Sequence, residues 1–304
     1  MSLAEVAVPH DNFKVELFDN STMSFKPTTA SVFCNADSTA TGQSIENCIL
    51  YTPVSILPSR IGLLRLTFDS SASLKGQKKS KYPMVIENEK FKIILYGYDN
   101  NGEIVITFQD KETGTEGDMY CALKWYPSET KMFSGTNKDT SGHYIFRPMV
   151  NETQPQWYSK FITAQLDSSD VHQRITLFFG KPGHADPKSI DEQVIVYLSL
   201  VPGMPVLKYD LDMNSLPDSS VDGYEVVVQF YYENMKNTGG IFYTDANGLE
   251  MQRRVKNVRA TWNFQNNLND SNQNVTGNFY PITSAIQLID TSTPLVLIVS
   301  TENS

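Results

Sequence analysis

Histidine and cysteine are scarce in this chain of 304 residues, at four and three copies. A zinc centre needs several convergent ligands, and so few scattered imidazoles and thiols leave little to assemble one from. No metal site is expected here. His184-Ala185-Asp186-Pro187, the one sequence that imitates a metal motif, sits in a Gly/Pro loop between strands and reads as a loop. Positive charge is short as well: Lys+Arg 25 against Asp+Glu 34 gives a net charge of -9. That balance supplies no cationic field for phosphate backbones and excludes nucleic acid as an expected partner. Lys75, Lys78, Lys79 and Lys81 form the one basic cluster, and their Ser/Gly surroundings read as a solvated linker. No run reaches the 18 or so apolar residues of a membrane helix, so no membrane span is expected. The start has no apolar leader core, and Met1-Ser2-Leu3 reads as an expression remnant.

Helical periodicity is nearly absent too, and short β-rich segments between turn residues take its place. Phe91 to Tyr96 and Glu103 to Phe108 read as a hairpin closed by Asp99-Asn100-Asn101-Gly102, residues that tolerate positive φ. Further strands are expected at 174–179, 194–200, 206–211, 224–231 and 295–300. In Leu207 to Asp212, Leu, Tyr and Leu alternate with Lys, Asp and Asp, which predicts one wet face. Tyr224 to Tyr231 is apolar on both faces and predicts a strand covered on both sides. So many strands bury their apolar faces best as stacked antiparallel sheets, an all-β sandwich architecture. The Ser/Lys/Gly-rich stretch near 70–82 divides the chain into an expected small β-sandwich over 1–80 and a large one over 81–304.

Asn20-Ser21-Thr22, Asn151-Glu152-Thr153, Asn269-Asp270-Ser271 and Asn274-Val275-Thr276 are acceptor sequons for N-linked glycans. They point to the secretory pathway. Cys34 and Cys48 flank a Ser/Thr/Ala/Gly-rich loop that a disulfide could close, in keeping with that compartment. Cys121, within Met119 to Leu123, reads as a small buried hydrophobe. Trp125, Trp157 and Trp262 read as core residues beside strands.

Four segments carry a resemblance. They are Val85-Ile86-Glu87-Asn88-Glu89-Lys90-Phe91 with its Asn-Gly turn, and Leu123-Lys124-Trp125-Tyr126 followed by Ser141-Gly142-His143-Tyr144-Ile145-Phe146-Arg147-Pro148. The third and fourth are Phe242-Tyr243-Thr244-Asp245-Ala246-Asn247-Gly248-Leu249-Glu250 with Arg253 and Arg254, and Gly277-Asn278-Phe279-Tyr280-Pro281-Ile282. In this order they resemble glycoside hydrolase family 38 alpha-mannosidases of the lysosomal branch, from about Met84 onward. The first portion agrees mainly through the Cys pair. The resemblance implies a large sandwich of the galactose-mutarotase-like super-sandwich type. It also implies a parent enzyme that hydrolyses terminal alpha-linked mannose from glycans with retention. Its catalytic Asp and its zinc ligands belong to an N-terminal α/β domain, the expected partner of this chain, which reads as truncated at both ends. A lysosome-like vacuole or secretion is the implied destination.

The resemblance places Tyr144 at the edge of the active site, with its hydroxyl on the bound mannose; no catalytic residue is expected in this chain. A tyrosine offers a flat apolar face to a sugar and one hydroxyl that donates and accepts. His143 stands where the family carries a small residue and reads as a packing or solvated histidine, and Arg147 reads as a surface arginine. The alternative to a scaffold and pocket wall is a stand-alone carbohydrate-binding β-sandwich module.

Overall fold

The structure is a computed structural model that describes residues 2–8, 13–38, 44–54, 62–71, 77–79, 81–98, 103–127, 146, 148, 156–169, 172–180, 194–200, 203–213, 224–232, 235–259, 277–292 and 296–300. All regular structure among them is β, as the alternation predicts. They gather into two compact units, Met1–Gly117 with Phe161–Ser215, and Asp118–Lys160 with Leu216–Ser304.

The first unit opens with β1 (Ser2–Val8), β2 (Phe13–Asp19), β3 (Ser24–Pro27), β4 (Ser31–Ser38), β5 (Ser44–Val54) and β6 (Leu64–Phe68). They form two three-stranded antiparallel sheets, β1-β5-β4 and β3-β2-β6. Val8, Val15, Val32, Cys48 and Leu50 are buried between them, with Phe13, Leu64 and Leu66 packed on that cluster. Two amphipathic sheets thus share one dry interior, the simplest way to hide both apolar faces. The segment expected as a linker contributes a short strand instead, β7 (Gln77–Lys79), paired with residues 166–168 of a later strand.

The rest of this unit is built from β8 (Met84–Glu87), β9 (Phe91–Tyr98) and β10 (Ile104–Asp110). β11 (Glu116–Pro127) leads into the second unit, and β12 (Gln156–Ser168) returns the chain to the first, where β13 (Gln173–Gly180), β14 (Val194–Leu200) and β15 (Leu207–Met213) follow. Ile175 stands opposite Leu198, Leu177 opposite Val196 and Phe179 opposite Val194. All six are at most 1% exposed, so period-two alternation in each strand yields a continuous apolar face. β8 packs on β13 and β14, bringing the fully buried Met84 and Ile86 to that core. The expected hairpin is β9-β10, whose register slips between Val105 and Ile106. Tyr96 is left as the extra residue of a bulge beside Gly97, which takes a φ of 137°. Its turn, 99–102, lies outside the described residues.

Two strand expectations need correction. Leu211 belongs to the apolar face of β15 by sequence yet is 38% exposed, because among the described residues β15 ends its run of strands and pairs with β14 alone. In the second unit, β16 (Tyr224–Tyr232) is half-buried from Glu225 to Phe230 and Tyr231 is exposed, so the strand is not dry on both faces. Its described ladder partner is β11 alone, in register from Met119↔Tyr232 to Pro127↔Tyr224. The remaining strands, β17 (Ile241–Ala246), β18 (Glu250–Val255), β19 (Ala285–Ile289) and β20 (Val296–Ser300), make a four-stranded antiparallel sheet in the order β18-β17-β19-β20. Cys121 is 1% exposed on β11, as its apolar neighbours indicate.

One buried group of the first unit makes stability depend on pH. His172 lies 3.9 Å from Tyr51, ring on ring at 14°, and burial, followed by the charges of Arg174 and Lys208, pushes its pKa down to about 3. Unfolded, the imidazole takes up a proton below about 6.5; folded, it stays neutral until about 3. Its stabilising contribution is therefore complete above pH 6.5 and is lost progressively as pH falls towards 3, at roughly 1.4 kcal/mol per pH unit. His172→Phe keeps a ring against Tyr51 and removes the proton. Urea midpoints between pH 4 and 6 should then fall less steeply with acid than in the parent chain; an unchanged slope would refute the assignment.

Candidate functional site

In the second unit three of the four segments that carry the resemblance fold against one another. β17 ends in Asp245-Ala246, and the chain reverses through Asn247 and Gly248, whose φ angles of 54° and 70° are the two positive values of a type I′ turn. The N–H of Leu249 closes it by donating to the Ala246 carbonyl at 3.0 Å. An Asn-Gly pair suits this turn, since asparagine tolerates the left-handed region and glycine has no Cβ to clash there.

Asp245 is 6% exposed and serves as an internal clamp. Gly248 N–H donates to its Oδ2 at 2.9 Å, while the N–H groups of Thr283 and Ala285 donate to Oδ1 at 2.9 and 3.2 Å. Burial alone would raise its pKa; the backbone donors, Ser284 among them, outweigh that and hold the carboxyl well below the ordinary carboxylate range. A carboxylate held ionised in this way is unsuited to donating a proton. Its position ties the turn after β17 to the chain that follows Gly277 to Ile282.

Tyr280 is the centre of the convergence. The guanidinium carbons of Arg254 and Arg259 lie 4.9 and 4.0 Å from its ring centroid, and Phe242 meets it edge-on at 5.4 Å. Arg254 Nε donates to Thr244 Oγ1 at 3.1 Å, and Arg259 donates to the carbonyls of Gly277 and Phe279 at 3.0 and 2.8 Å. Asn257 N–H donates to Asn278 Oδ1 at 2.9 Å, with Asn278 Nδ2 returning a bond to Asn257 Oδ1 at 2.7 Å. Both motifs therefore orient arginines by hydrogen bonds and hold them on an aromatic ring.

The Tyr144-containing motif reaches the same cluster through Phe146. Its ring contacts Tyr126 of β11 at 5.3 Å and 77°, and Phe279 at 5.7 Å. Burial pushes the Tyr126 phenol up. Tyr144 itself lies outside the described residues, as do His143, Arg147, the His184-Ala185-Asp186-Pro187 loop, Trp262, and the sequon asparagines Asn151, Asn269 and Asn274. Trp157 has only its backbone described, on β12, and Trp125 is half-buried on β11. Asn20 is exposed in the turn after β2. Cys48 is disulfide-bonded and 2% exposed, and Cys34 stands directly opposite it in the β4-β5 ladder.

The roles of Asp245, Arg259 and Tyr280 were not read from the sequence. Only Asp245 left a local signal, an acidic residue three before a glycine at a turn. Among the described residues no group of His, Cys, Asp and Glu is placed to hold a metal ion.

These features define an all-β chain of antiparallel sheets in which separated sequence motifs meet on an aromatic and guanidinium cluster. Comparison with known proteins finds this chain similar to several alpha-mannosidases. Lysosomal alpha-mannosidase of Bos taurus is 25% identical over 244 residues, 80% of this chain and 22% of that protein. The Homo sapiens lysosomal alpha-mannosidase is 27% identical over 174 residues, 57% of this chain and 15% of the relative. A probable alpha-mannosidase of Arabidopsis thaliana is 24% identical over 247 residues, 76% of this chain and 22% of its own length. No family model matches the chain. The chain resembles lysosomal-type alpha-mannosidases over most of its length, and it spans about a fifth of the length of the bovine relative (22%).

Proposed function

We propose that this chain is the all-β region of a retaining alpha-mannosidase that removes terminal alpha-linked mannose from glycans, and that it acts as scaffold and as one wall of the active site. The observation that carries the reading is the convergence of three motifs on Phe146, Phe279 and Tyr280, because resembling segments far apart in sequence have a common structural purpose here. Tyr144, two residues before Phe146, presents its hydroxyl to the bound mannose. The nucleophilic and acid/base carboxyl groups and the zinc ligands belong to an N-terminal α/β domain, this chain's partner. Residues 1–80 form the small sandwich and 81–304 the large one, with Cys34 and Cys48 bridging β4 and β5. The sequons accept glycans in the secretory pathway, on the way to a lysosome-like vacuole or outside the cell.

In the intact enzyme Tyr144→Phe should lower kcat/KM about tenfold, the loss of one hydrogen bond near the reacting sugar, with the melting temperature unchanged. Unaltered turnover would reduce the residue to a structural role. The isolated chain should neither hydrolyse a mannoside nor bind mannose more tightly than about 0.1 mM in calorimetry. Tighter binding would mark a free-standing carbohydrate module.

A further inference from the structure

We propose that Asn20 bears an N-linked glycan whose first N-acetylglucosamine packs on Phe18, so that the sugar covers the outer face of the β2-β3 hairpin. The inference rests on the secretory reading and goes beyond it by assigning one site and its purpose. β2 divides its side chains by parity. Val15 is buried at 3% in the small core, and Phe13 packs on the same cluster. Glu16 and Phe18 therefore project to the other side of the sheet. On that outer face Glu16 accepts two hydrogen bonds from Arg65, at 2.8 and 2.6 Å, and the Arg65 guanidinium lies 4.2 Å from the centroid of Phe25. Phe25 is the register partner of Phe18, and the two rings meet edge to face at 5.2 Å and 68°. Both phenylalanines are half-exposed on that outer face, and among the described residues neither belongs to the small core cluster.

The sequon begins two residues after Phe18. β2 ends at Asp19, so Asn20 is the first residue of the turn and lies one residue beyond the strand that carries Phe18. Asn20, Ser21, Thr22 and Met23 are all exposed, which opens the acceptor amide and the Thr22 hydroxyl to a glycosyltransferase. The turn is held in shape: Ser21 N–H and Oγ donate to Asp19 Oδ1 at 2.8 and 2.6 Å, Lys26 pairs with Asp19, and Met23 takes a φ of 52°. A pyranose carries C–H groups on one face, and a half-exposed flat ring two residues from the attachment point is a surface that such a face packs against.

The full chain, secreted from eukaryotic cells, is the protein to test. Peptide mass mapping should find a glycan on Asn20. A bare Asn20 beside glycans at Asn151, Asn269 or Asn274 overturns the site and leaves the secretory reading standing; four bare asparagines overturn both. With the other three asparagines changed to glutamine, trimming the Asn20 glycan to a single N-acetylglucosamine should leave a melting temperature about 2–4 °C above that of Asn20→Gln. Phe18→Thr should abolish that gap, and Phe18→Leu, a milder change at the same place, should shrink it. A single-sugar form that melts with Asn20→Gln, or a gap that survives both Phe18 variants, overturns the packing.

Discussion

Asp167→Ala is expected to destabilise the first unit by about 3–5 kcal/mol, because it leaves a buried guanidinium without its carboxylate. Asp167 is fully buried and Arg174 is 5% exposed. Arg174 Nη2 donates to Asp167 Oδ2 at 3.0 Å, and Gln165 Nε2 donates to Oδ1 at 2.8 Å. The arginine also lies over Tyr197, 4.9 Å from its ring centroid. Desolvating both ions costs about as much as their attraction returns, so the pair as a whole contributes little net stability. The double replacement Asp167→Leu with Arg174→Met should accordingly unfold near the urea midpoint of the parent or above it. A double variant as unstable as Asp167→Ala would show that the pair stabilises the fold outright.

Phe179→Ala should cost a similar 3–5 kcal/mol for a different reason, the cavity left in a core that cannot close over it. Phe179 is 1% exposed on β13, stands opposite Val194 and meets Phe161 edge-on at 5.9 Å. Phe179→Leu fills most of the space and should lose less than half as much. Equal losses for the two variants, read from urea midpoints, would mean that the site collapses freely and is not tightly packed.

The strands were legible because alternation is local. Val194 to Leu200 was expected and found with the same bounds, and 224–231 fell one residue short of β16. What failed was burial on each face. Leu211 looks inward by sequence, but an edge strand covers only one flank of its residues. The basic stretch at Lys78 and Lys79 has a linker's composition, yet three residues suffice to pair with 166–168 once the partner strand is beside them. Composition reports solvation and cannot report a neighbour such as Leu166, 87 residues on from Lys79.

The motifs marked which segments matter, and the fold decided what each residue does. Asp245 reads as a turn residue until Thr283 and Ala285, 38 and 40 residues on, donate to its carboxylate. His172 is an ordinary imidazole until Tyr51 covers it. Chain order sets periodicity, turn chemistry and the order of the motifs, since those act over a few bonds. Ionisation, burial and the meeting of Phe146 with Phe279 depend on distance through space, which only the assembled sheets establish.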